Sequence, residues 1–177
     1  MSALARLAAA LVAEGGLLAA ALSAGRAPAE ENGWSPSVVV AAGPRAAAAP
    51  DAYELLVEAI YEGYRQHYGA PRLLGGADPD LRLLAGDRFY AFGLERLVGL
   101  GDLEAVVELA DVISLCALVH ARGAGELAES VWAAGARAVG WGGSPAHDRA
   151  KALLLTGDDR GPAALAAALA APEAPGR

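Results

Sequence analysis

The chain is poor in the residues that anchor most site chemistry. It has one cysteine, Cys116, one lysine, Lys151, and three histidines in 177 residues. A single cysteine excludes an intrachain disulfide framework and any zinc site built on cysteine. The histidines His67, His120 and His147 fall on separate segments, and none has a second histidine or acid at i+4 on an obvious common face, so no HExxH-type arrangement exists. Aromatic residues make up only 6%. Positive charge is also scarce: 14 basic residues face 21 acidic ones, for a net charge of −7. An acidic chain with no basic stripe is a poor non-specific ligand for nucleic acid. No stretch of 18 uncharged apolar residues occurs, which excludes a conventional membrane span. Gly-rich turns at 75–76 and 140–143 lack the GxxxxGK[ST] pattern and a preceding strand, so they are not phosphate loops.

What is abundant is alanine, with 45 residues, and 55% of the chain is hydrophobic. Alanine is the best helix former, and the apolar content is too high for a disordered chain. The expectation is a soluble, acidic, all-α protein, cytoplasmic, with one helical domain over 1–170 and a flexible tail over 171–177. Leu4, Leu7, Leu11, Leu18 and Leu22 share one helical face, and predict an amphipathic N-terminal helix packed on its own domain. A signal peptide ending near Ala21-Leu22-Ser23-Ala24 is the alternative. Residues 25–36 read as a loop, and 37–42 as either a strand or the start of a helix.

Periodicity then predicts helices over 52–68, 79–99, 103–121, 126–139, 146–155 and from 162 to about 170. Asp51, Asp78, Asp102 and Ser144 are the predicted N-caps. Short connections between these segments imply antiparallel neighbours in a helical bundle. In 52–68, Glu54, Glu58 and Glu62 are assigned to the polar face. In 79–99, one broad inward face is drawn through Leu83, Leu84, Asp87, Tyr90, Ala91, Leu94, Leu97 and Val98.

That pattern makes Asp87 the most informative residue. A carboxylate on an apolar face needs a partner, and the expectation is a structural, buried Asp87. The paired acids Asp78/Asp80 and Asp158/Asp159 are explained by helix capping. Cys116 is expected to be a free core thiol. Tyr61, Tyr64, Tyr90, Leu94, Leu97 and Ile113 are the candidate interface residues, because amphipathic rings and broad apolar helix faces suit a helix–helix contact.

The run Leu83-Leu84-Ala85-Gly86-Asp87-Arg88-Phe89-Tyr90-Ala91-Phe92-Gly93-Leu94-Glu95-Arg96-Leu97, followed by Leu100-Gly101-Asp102, resembles the Gly-Asp helix of the all-α trans-prenyl diphosphate synthase family. The likeness is closest to the small, non-catalytic component of two-component heptaprenyl diphosphate synthases, and covers residues 50–122. Two aspartate-rich motifs that hold Mg²⁺ against diphosphate in the active family are absent. The resemblance therefore implies a partial isoprenoid-synthase-like bundle and a non-catalytic accessory subunit. No catalytic or metal-ligating residue and no cofactor carry over. The implied partner is a protein, either a second copy or a catalytic prenyl synthase subunit. A stand-alone helical interaction or scaffold protein without lipid chemistry is the alternative.

Overall fold

The computed structural model describes residues 1–24 and 34–171. The protein is all-α: nine α-helices and two short 3-10 turns account for the regular structure, with no strand among the described residues. No helix of the described chain is long and apolar enough to cross a membrane. Contacts divide the chain into two compact units, one of residues 1–38 and 51–100, the other of 39–50 and 101–177. The tail expected to fray lies, from residue 172 on, outside the described residues, as does most of the loop expected at 25–36.

In the first unit, α1 (Ala3–Glu14) and α2 (Gly16–Ala24) replace the single N-terminal helix expected from the leucine spacing. Gly15 and Gly16 take φ of 78° and 84°, left-handed values that only glycine adopts freely, and they turn the chain between the two helices. The leucine face is real: Leu4, Leu7 and Leu11 are buried in a core shared with Ala59, Ala85, Phe89 and Phe92. The ambiguous segment 37–42 is helical, as α3 (Pro36–Ala42), of which residues 39–42 belong to the second unit.

Next come α4 (Pro50–Tyr68) and α5 (Pro79–Leu100). Asp51 lies inside the first turn of α4 rather than before it, and its carboxylate pairs with Arg6 at 3.1 Å. Asp78 does act at the start of α5, its carboxylate accepting from the Asp80 N–H at 2.9 Å. The buried side of α5 is not the one expected. Ala85, Gly86, Phe89, Phe92, Gly93 and Leu97 face inward, whereas Leu83, Leu84 and Val98 are 49%, 63% and 65% exposed. The reason is close helix approach at glycine. A methyl group on Gly93 would sit 2.7 Å from the Leu56 carbonyl oxygen and collide with Ile60. One on Gly63 would sit 2.8 Å from the Tyr90 ring and 3.0 Å from the Gly86 carbonyl oxygen. Helix α5 seats its small residues against α4 and turns its bulkier aliphatic row outward.

The second unit holds a 3-10 turn (Pro44–Ala46), α6 (Leu103–Ala121), a second 3-10 turn (Gly125–Leu127), α7 (Ala128–Trp141), α8 (Pro145–Thr156) and α9 (Gly161–Ala170). Its packing runs α6 on α7 and α8, and α9 on α7 and α8. Asp102 caps α6 through the Ala105 N–H, and Ser144 caps α8 through the His147 N–H, as their positions predict. Asp158 likewise accepts from the Arg160 N–H at 2.9 Å, just before α9. Cys116 is a free, buried thiol, and burial pushes its pKa up to about 12, far from a reactive thiolate.

Candidate functional site

Three groups of residues carry the charge and exposed apolar surface from which a function can be built. The first is a buried ion network in the first unit. Glu58 and Glu62 lie one turn apart on α4, and both are buried, at 3% and 0% exposure. Their assignment to a polar face is therefore corrected. The loop after α4 supplies their partners. Arg72 reaches Glu58 at 2.6 Å and Glu62 at 3.0 Å. Glu62 also accepts from the backbone N–H groups of Arg72 and Leu73, at 3.0 and 2.9 Å, and from the Gln66 amide at 3.0 Å. Ser37 donates to Glu58 at 2.6 Å. Burial still pushes the Glu62 carboxyl above its usual range, against the pull of those donors. In the same loop Leu74 sits at φ 58°, a left-handed value costly for leucine. Both carboxylates are engaged by the fold itself, so the cluster pins the loop after α4.

Beside it runs a row of rings. Trp34 meets Tyr61 edge-on with centroids 6.4 Å apart, Tyr61 stacks on Tyr64 at 6.0 Å, and Tyr64 leans on Tyr68 at 5.9 Å. Arg72 lies 5.3 Å over Tyr61, so the guanidinium is shared between two carboxylates and a ring face. Tyr90 stacks on His67 at 5.4 Å. Tyr61, Tyr64 and Tyr90 are each half-buried, which leaves part of each ring for an outside contact.

The second group is in the second unit. Glu108, 8% exposed, bonds His147 Nε2 at 2.7 Å and Lys151 Nζ at 2.6 Å, and Lys151 also reaches Asp111 at 2.8 Å. The only lysine of the chain thus ties α8 to α6. Burial works against its charge, and the bonds from Asp111 and Glu108 more than offset that, leaving its pKa above the ordinary value. Arg45 ties the first 3-10 turn to α6 through Asp102 and Glu104, at 3.1 and 2.7 Å. Sequence reasoning missed Glu108 and Lys151, although a lone lysine four residues after a histidine is a signal that could have been weighed.

The third group is the outer face of α5, which includes Asp87. The expectation of a buried Asp87 is overturned: its side chain is 74% exposed, with His67 Nε2 at 3.2 Å. The rotation of α5 set by its glycines is the cause. Asp80, Leu84, Asp87, Ala91, Glu95 and Val98 recur at helical spacing, and all six are exposed. Leu94, at the edge of this stripe, is half-buried. Leu97 is fully buried and is removed from the candidate interface. Ile113 is half-buried on α6, in the second unit.

Among the described residues, no group of three or more His, Cys, Asp or Glu side chains is arranged to hold a metal ion. Comparison with known proteins returns no matching family model, no matching curated protein and no matching solved structure.

Proposed function

We propose that the chain is a non-catalytic helical subunit that works by docking a partner protein on the outer face of α5. One observation carries this reading. A helix packed tightly along one side presents large aliphatic residues, Leu83, Leu84 and Val98, to solvent along the other. Large apolar residues left exposed along one helix face, here interleaved with acids, support reading that face as an interaction surface. The buried ion networks support the same reading, because their acids are taken up in fixing loops and helices.

The class of the partner rests on the Gly86-Asp87 helix block and its likeness to the small component of two-component prenyl diphosphate synthases. By that likeness the partner is a catalytic polyprenyl diphosphate synthase, and the subunit shapes or stabilises its partner's prenyl-binding cavity. The test is complex formation between this chain and any polyprenyl diphosphate synthase of the same genome. Binding that Leu84→Glu with Val98→Glu abolishes supports the reading. Binding of an unrelated protein through the same two residues reassigns the chain to stand-alone scaffold proteins.

A further inference from the structure

The exposed stripe of α5 has a charge pattern that selects its occupant. Read along the helix it alternates: Asp80, Leu84, Asp87, Ala91, Glu95, Val98. From Asp80 to Val98, about 18 helical steps of 1.5 Å, it spans about 27 Å. The arginines of this helix do not neutralise it. Arg88 and Arg96 are both drawn to Glu14 on the flank, and both lie against the Phe92 ring, Arg96 at 3.2 Å from its centroid. Arg82 donates to the Gln66 carbonyl oxygen at 3.2 Å. The stripe is left as three carboxylates separated by three apolar positions, with the small Ala91 at its middle, where another helix can approach closely.

A second copy of α5 fits this pattern badly in each register. Paired in parallel, every acid faces its own copy. Paired antiparallel so that Leu84 meets Val98, Asp87 lies opposite Glu95 twice over. Sliding by half a repeat places carboxylates on apolar side chains and desolvates them without a partner. Like charges at such spacing repel and raise the cost of the wrong partner.

We infer that the outer face of α5 is a docking face for a different protein, one that offers an amphipathic helix with arginine or lysine alternating with leucine-like residues along one stripe. This rests on the docking reading above and adds the partner's charge to it. Each basic residue would stand against Asp80, Asp87 or Glu95, and each apolar one against Leu84, Ala91 or Val98. This is helix-on-helix recognition read at i, i+4 and i+7 anchors.

The test uses the full chain, labelled with ¹⁵N, and three helical peptides of about 18 residues, long enough to span the stripe. One alternates Arg with Leu at this spacing, one replaces Arg by Glu, and one replaces Leu by Ser. The Arg/Leu peptide is expected to shift the amide signals of residues 80–98 and to bind at least about tenfold tighter than either control, the scale of a few modest ion pairs added together. Asp87→Lys with Glu95→Lys should reverse the preference toward the Glu peptide, and Asp87→Asn with Glu95→Gln should weaken it without reversal. Equal binding of the Arg and Glu peptides, shifts confined to other helices, or no shifts with any peptide would overturn the inference. A complex that depends on Leu84 and Val98 yet ignores the charge reversal sinks this inference and leaves the docking reading standing.

Discussion

At the residue scale, Asp87 and Glu62 exchange the roles that the sequence suggests. Asp87 sits in an apolar-looking row and is exposed; Glu62 sits in an acidic-looking row and is fully buried. Periodicity alone cannot separate these cases, because a buried acid is decided by a partner distant in sequence. Here that partner is Arg72, ten residues on, in a loop whose course only the folded chain reveals. The caps are different. Asp102 and Ser144 satisfy N–H groups three residues ahead, a local geometry that the sequence carries in full. Two predictions belong at this scale. Asp87→Ala should change stability by less than about 0.5 kcal/mol, as for an exposed position outside any network, rather than the 1–3 kcal/mol of a stranded buried partner. Thermal or denaturant unfolding of the variant checks it. Lys151 sets an alkaline limit. Its pKa is raised in the folded state above the ordinary 10.5, so the folded chain holds that proton more tightly than the unfolded one. The stabilisation is fully present below 10.5 and is lost as pH rises through the raised value. Lys151→Met should flatten that alkaline decline, measured as the difference between the two unfolding curves across pH.

At the element scale, helices were legible and their rotation was not. Segments 52–68, 79–99 and 103–121 match α4, α5 and α6 to within two residues at each end, because caps, Gly stops and 3.6 spacing are local signals. The face that α5 buries depends on what α4 offers opposite it. Gly63, Gly86 and Gly93 let the two helices approach, and that contact outweighs the pull of Leu83, Leu84 and Val98 toward the core. The same physics separates two glycines in α5. Gly93→Ala forces a methyl group against Ile60 and the Leu56 carbonyl, and should destabilise by about 1–3 kcal/mol, the usual cost of overpacking. Gly99→Ala meets nothing within 4 Å and has no left-handed φ to lose. It should stabilise by about 0.5–1 kcal/mol through helix propensity. Opposite signs for the two substitutions in chemical denaturation confirm the packing of α5; equal signs contradict it.

At the scale of the whole molecule, the chain is an all-α protein whose buried charges are engaged internally and whose exposed large apolar residues lie on several helices, Leu84 and Val98 on α5 and Leu103 and Val107 on α6 among them. A sequence in which every acid and every leucine is counted equally gives no such division, since exposure is a property of the assembled units. On the proposed reading, α5 docks a different protein. The measurement that tests it most directly is the mass, by light scattering, of the purified chain alone and mixed with the polyprenyl diphosphate synthases of the same genome. The expected result is a monomer alone, a discrete heteromeric complex in one mixture, and loss of that complex with Leu84→Glu and Val98→Glu at unchanged melting temperature. A stable homodimer held by α5, or a complex that survives both substitutions, would contradict it.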